Sequence, residues 1–239
     1  ARNGKWTAHL RNLSYGSPDT LTVSGVTTLE FTNVLVGEVW VCSGQSNMEL
    51  ALRNSFEPAA DIAASANPSL RLFTVQKLKS NSPTNNVRGS WSTAAPANPP
   101  GFSDVGYYFG RDLQKALGVP VGLIHTSWGG SPAEAWMSED ILAGHPRYKA
   151  EILDSYPKQL ESFQKSVAQF EKEQAEAKAA GATFARNRPN APWKPSELYN
   201  GMIAPLVPFA IKGALWYQGE SNAGKPEQYR SLFAAMIPN

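Results

Sequence analysis

The chain has 239 residues, 42% hydrophobic and 18% charged, a balance that excludes a disordered polymer and suits one large domain or a domain plus part of another. Its formal net charge is +2 and no Lys/Arg stripe stands out, so nucleic acid is not an expected partner. No apolar run reaches the ~18 residues that cross a bilayer, and the single cysteine, Cys42, excludes an internal disulfide and argues against a zinc site.

Residues 1–34 read as β-rich. Lys5–Leu10, Thr20–Gly25 and Thr27–Thr32 alternate or are β-branched, and Tyr15-Gly16-Ser17-Pro18-Asp19 is turn chemistry. Three short strands cannot bury a core alone, so they are expected to be the flank of an accessory β-domain. The opening Ala1-Arg2-Asn3-Gly4-Lys5 is no signal peptide and reads as the interior of a longer sequence.

Val36 to Val41 then reads as a buried strand that breaks at Ser43-Gly44. A helix-like run, Met48 to Leu52, follows. Strand, glycine turn, serine and helix together lift the Ser46 hydroxyl to the head of a sheet, beside the free N–H groups of a helix start. Such groups can hold the charge that develops in acyl transfer. The competing reading is that Ser46 only caps the helix. The G-x-S-x-G elbow is not matched, because Met48 stands where the second glycine would be.

Leu70–Val75 is a further strand. Residues 80–103, rich in Ser, Asn, Pro and Gly around Trp91, read as a loop that could wall a cleft. Val105–Gly118 is a helix, and Val121–His125 a strand that ends in Thr126-Ser127-Trp128-Gly129-Gly130-Ser131-Pro132. Residues 147–182 are a helical excursion with an apolar stripe of Leu160, Phe163, Val167 and Phe170. Pro189, Pro192 and Pro195 around Trp193 form a rigid loop. Ile211–Gln218 is another strand, broken by Gly219-Glu220-Ser221-Asn222. Alternating strands and helices predict a parallel α/β sheet with ligands beyond the carboxyl ends of its strands. The three polar turns at Ser46, Gly129-Gly130 and Gln218–Asn222 all fall at such ends. Seven Trp and eight Tyr suit a sugar-binding cleft.

Gly37 to Met48, Ile124 to Trp136 and Ala214 to Asn222 resemble the three conserved blocks of the SGNH hydrolase superfamily, and within it the sialate O-acetylesterase family of carbohydrate esterases. The resemblance runs from about residue 34 to the end. It implies a three-layer, flavodoxin-like parallel sheet over 35–239, preceded by the 1–34 flank, with the C-terminal part of the catalytic domain missing. It implies that Ser46 is the nucleophile and that Gly129 or Gly130 lends a backbone N–H to the oxyanion. It implies an O-acetylated carbohydrate as substrate, no metal or cofactor, no membrane, and a secreted, periplasmic or lysosomal setting. The third block departs from Gly-x-Asn-Asp, since Ser221 falls at the Asn position. Gln218 and Asn222 are thus alternative amide donors.

The family's Asp-x-x-His is not matched. The residues three before His9, His125 and His145 are Trp6, Gly122 and Leu142. His125 is expected to pack and hydrogen-bond. The catalytic Asp and His are expected on a second fragment or a missing C-terminal segment. The expected activity is removal of acetyl groups from sugars, sialic acid first and acetylxylan or another plant polysaccharide as the alternative. Arg53 and Arg88 lie near enough to cleft loops to meet a sialate carboxylate. The reading from another class is a non-catalytic carbohydrate-binding module with an esterase-like cleft.

Overall fold

A computed structural model of the chain describes residues 6–238. Strands β1 (Asp19–Ser24) and β2 (Thr28–Val34) pair antiparallel as a separate two-stranded sheet. Residues 6–10, expected as a strand, form none, since no neighbouring segment pairs with them; Lys5 lies outside the described residues. The main sheet contains β3 (Glu38–Gly44), β4 (Asn67–Thr74), β5 (Trp91–Ala94), β6 (Val121–Ser127) and β7 (Gly213–Tyr217), in the order β5-β4-β6-β3-β7.

Four of these strands are parallel, but β5 runs antiparallel to β4. The sheet is therefore mixed, which corrects the expectation of a wholly parallel one. Trp91-Ser92-Thr93-Ala94 was hidden inside a Pro/Asn-rich loop; it has β-prone residues and needs only one partner at the sheet edge.

The helices are α1 (Ser46–Glu49), α2 (Pro58–Ala63), α3 (Asp104–Leu117), α4 (Glu139–Gly144), α5 (Pro146–Tyr148), α6 (Tyr156–Ala179) and α7 (Pro226–Met236). α3 begins where Ser103 Oγ accepts the Gly106 N–H at 3.1 Å, and ends on Gly118 in the left-handed region, φ 67°. α6 ends a helical excursion that lies mostly in solvent. Of its expected apolar stripe only Phe170 is buried; it packs edge-on against Phe184 of the returning chain.

Alternation along the strands divides the core. Cys42, Leu72 and Leu123 face one side, with Met48, Leu52 and Tyr107. Val41 and Ile124 face the other, with Ala135, Trp136 and Met202. So the chain leaving β3 (Met48, Leu52) crosses one face, while the chain leaving its neighbour β6 (Ala135, Trp136) crosses the opposite one. Adjacent strands that send their connections to opposite faces open a crevice between their carboxyl ends, the place where open α/β sheets bind ligands. A groove of about 520 Å³ lies at the other end of the strands between β2 and the sheet, lined by Phe31, Val39, Val121 and Phe209. No described helix is long and apolar enough to cross a membrane.

Candidate active site

The register of the three inner strands brings the polar turns together. Gly44 at the end of β3 is level with Ser127 of β6 on one side and Tyr217 of β7 on the other. Backbone bonds continue past the strands: Trp128 N–H donates to Gly44 O at 3.1 Å, and Gln45 N–H to Tyr217 O at 3.0 Å. Gly44 has φ 143°, and a Cβ there would stand 2.1 Å from Tyr217 O. Only glycine lets the chain turn this close to β7.

Ser46 is the next residue but one. It is exposed, and it is the first residue of α1, not its cap; the cap position is Gln45, whose side chain makes no capping bond. The capping reading of Ser46 therefore fails. α1 has only four residues and stops at Leu50, shorter than the helix-like run suggested. What it contributes is the unpaired N–H groups of a first turn, not a long dipole.

Gln45, which the sequence did not single out, is buried and stitches the first turn to the third. Its Oε1 accepts the N–H groups of Gly219 and Ser221, each at 3.2 Å, and its Nε2 donates to the Glu220 carboxylate. Asn47 Nδ2 donates to the other Glu220 oxygen at 2.7 Å.

The paired glycines lie against Ser46. A Cβ on Gly129 would stand 3.7 Å from both Cα and Cβ of Ser46. The Gly129 N–H donates to Glu49 Oε2, and the other Glu49 oxygen is paired with Lys77. Gly130 is exposed, in the left-handed region at φ 73°, with open space where a Cβ would be. Of the two glycines, Gly130 thus has the amide that the Glu49 carboxylate leaves alone.

The amides of the third turn differ in how they are held. Asn222 is buried, with Oδ1 accepting from Ala133 N–H at 2.9 Å and Nδ2 donating to Glu134 Oε2 at 2.8 Å. Gln218 Nε2 donates to Asn222 Oδ1 at 2.7 Å and reaches Ser131 O at 3.3 Å. Its own backbone carbonyl accepts from the Tyr229 hydroxyl of α7 at 2.9 Å.

One wall of the site is aromatic and cationic. Trp193, from the proline-rich loop, meets Trp128 edge-on with ring centroids 5.5 Å apart. Lys77 lies 5.1 Å and Lys79 5.5 Å from the Trp128 ring, and Lys79 lies 3.8 Å from that of Trp193. These contacts set two ammonium groups against flat aromatic faces, Lys77 paired with Glu49 and Lys79 with Glu197 at 3.0 Å. Arg53 instead lies beside Gly101, its guanidinium 3.4 Å from where a Cβ would be; the backbone carbonyl of Arg88 accepts from Gln76 N–H, past the end of β4.

No hydrogen bond joins Ser46 to a histidine among the described residues. His125 is buried on β6, its Nε2 2.6 Å from Ser127 Oγ and its ring edge-on to Phe102. Burial pushes its imidazole down to about 4; Glu49 raises it and Lys77 lowers it by smaller amounts. It packs and hydrogen-bonds, as its sequence position suggested. His145 stacks on Tyr148 at 4.1 Å, and His9 is exposed. Cys42 is fully buried, and burial pushes its thiol up to about 12, so it is inert packing. No His/Cys/Asp/Glu cluster able to hold a metal occurs among the described residues.

A mixed α/β sheet that gathers an exposed serine, paired glycines and a carboxamide turn at a switch between neighbouring strands defines an α/β protein with its site at the carboxyl edge. No family model matches the chain. It is 34% identical to the sialate O-acetylesterase of Rattus norvegicus, over 98% of this chain and 44% of that protein. It is 32% identical to the sialate O-acetylesterase of Homo sapiens, over 88% of this chain and 36% of that protein. The crystal structure of a carbohydrate acetylesterase from Xanthomonas citri superposes with a TM-score of 0.73 at 35% identity, covering 98% of this chain and 45% of that one. Nearly the whole chain is thus similar to sialate O-acetylesterases, and it spans less than half the length of these relatives.

Proposed function

We propose that the protein is a serine esterase of the SGNH type that removes O-acetyl groups from carbohydrates. The observation that carries this reading is the placement of an exposed Ser46 against Gly129, at level strand ends that also bring in Gln218. The similarity to sialate O-acetylesterases supports it, and the three-layer, flavodoxin-like architecture of the superfamily accommodates the sheet.

In this mechanism Ser46 Oγ attacks the acetyl carbonyl carbon and forms a tetrahedral oxyanion. The Ser46 N–H, the Gly130 (or Gly129) N–H and a carboxamide N–H hold the negative oxygen. The sugar hydroxyl leaves with a proton, an acetyl-serine remains, and water releases acetate. A hydroxyl needs a base to take its proton. Since His9, His125 and His145 are placed elsewhere, we assign that role to a histidine of an Asp-x-x-His outside these 239 residues.

Removing the hydroxyl tests the assignment. Ser46→Ala in the full-length protein should abolish release of acetate from a chromogenic acetyl ester, while thermal unfolding stays near that of the parent. Turnover retained in the variant refutes it. A parent protein that binds acetylated sugar without turnover would instead favour the non-catalytic binding module.

Acetylated sialic acid is the substrate we favour. Lys77 and Lys79 across Trp128 and Trp193 suit an acidic sugar ring; in the sequence Arg53 and Arg88 were only near enough to cleft loops, with nothing to single them out. Faster acetate release from acetylated sialic acid than from acetylxylan is the expected outcome of a side-by-side assay; the reverse assigns a plant polysaccharide.

A further inference from the structure

The hydrogen bonds around Asn222 set the direction of two amides in turn. Ala133 N–H can only donate, and it meets Asn222 Oδ1 at 2.9 Å. The Glu134 carboxylate can only accept, and it meets Asn222 Nδ2 at 2.8 Å. Turning the Asn222 amide over would set oxygen against carboxylate and NH₂ against N–H. Its orientation is therefore fixed by chemistry at both ends.

Asn222 Oδ1 in turn accepts from Gln218 Nε2 at 2.7 Å, so Gln218 must present its nitrogen to Asn222. The consequence is visible at the other end of Gln218. Its Oε1 is buried with no hydrogen-bond partner among the described residues. A side chain free to choose would turn over to relieve that oxygen. The second Gln218 proton reaches only Ser131 O at 3.3 Å, beyond the usual ~2.7–3.2 Å range. Ser131 directly follows Gly130, so this loosely held N–H lies next to the end of the glycine turn.

We propose that Glu134 and Asn222 are positioning residues that lock the Gln218 amide with its nitrogen toward the glycine turn, where its second N–H passes from Ser131 O to the oxyanion. Gln218 touches the reacting oxygen; Asn222 and Glu134 act through it. The proposal rests on the esterase reading, and it assigns different tasks to the two amides that the sequence left as alternatives.

The test is steady-state hydrolysis of an aryl acetate by the full-length protein, with the thermal midpoint of each variant measured alongside. Gln218→Ala should lower kcat by about a hundred- to a thousand-fold with little change in KM, the loss typical of one oxyanion donor. Glu134→Leu removes the acceptor that orients Asn222, and should lower kcat at least tenfold. Glu134→Gln keeps an acceptor oxygen there and should stay within threefold of the parent. Asn222→Asp sets a second carboxylate against Glu134, which raises the proton affinity of the pair. At neutral pH it should lose about a hundredfold in kcat. At lower pH a proton shared by the pair restores a donor to Glu134 and ends the repulsion that displaces residue 222 from Gln218, so activity relative to the parent at the same pH should recover as pH falls.

A merely structural role predicts neither the rescue by Glu134→Gln nor that recovery. The proposal is overturned if Glu134→Leu and Asn222→Asp keep kcat within threefold of the parent, or if Glu134→Gln falls as far as Glu134→Leu. If Ser46→Ala retains turnover, the esterase reading fails and takes the proposal with it; if only the Glu134 and Asn222 variants disagree, the proposal fails alone.

Discussion

His125 shows how burial decides what a titratable residue can do. Its imidazole, ordinarily near 6.5, is held down to about 4 in the folded protein. Between those values the unfolded chain takes up a proton that the folded chain refuses, so the unfolded state gains as pH falls. Stability from this residue is intact above about pH 6.5, is lost as pH drops toward 4, and the loss is on the order of 3 kcal/mol at the foot of the window. Urea unfolding of the parent and of His125→Gln from pH 7 to pH 4 should show the variant with the shallower decline; equal slopes would contradict it. At this scale the sequence located some residues and not others. Ser46, Gly129, Gly130 and Gln218 stood out because glycine turns mark strand ends. Gln45, Glu49 and Glu134 did not, because each acts through a distant partner; the Gln45–Glu220 contact spans 175 residues of chain. The polarity of a residue beside a strand end was the one available signal for Gln45.

At the scale of elements, the turn after β3 is the least replaceable piece. Gly44 adopts φ 143° and sits where a methyl group would overlap the Tyr217 carbonyl. Gly44→Ala should cost about 1–3 kcal/mol from backbone conformation alone, with separation of β3 from β7 added to that. It should lower both the unfolding midpoint and acetate release; an unchanged midpoint would mean that the turn is not constrained as described. The main strands and α3 were legible from β-branched runs and from a Gly-terminated helix. β5 was not, because four residues paired at a sheet edge leave too little periodicity to read. The excursion is legible as helical from its apolar stripe, but the depth to which that stripe is buried is not. Leu160, Phe163 and Val167 stay half-buried because little of the molecule packs against α6.

For the molecule as a whole, topology explains why loops far apart in sequence share one place. β3, β6 and β7 are neighbours in the sheet though not in the chain, and β3 and β6 send their connections across opposite faces. The crevice at their carboxyl ends follows from that order. No periodicity in the sequence encodes strand order, so this part of the architecture came into view only with the pairing registers. The β1–β2 ribbon stands apart from this arrangement, with Leu29, Phe31 and Val26 exposed.

The three strand-end turns are expected to converge on one serine oxygen. A crystal structure of the full-length protein treated with a serine-reactive phosphonate tests it directly. The expected result is a covalent adduct on Ser46 whose phosphoryl oxygen accepts hydrogen bonds from the Ser46 N–H, from a glycine of the Gly129-Gly130 pair and from Gln218 Nε2. An adduct elsewhere, or a phosphoryl oxygen turned away from the glycines and Gln218, would contradict it.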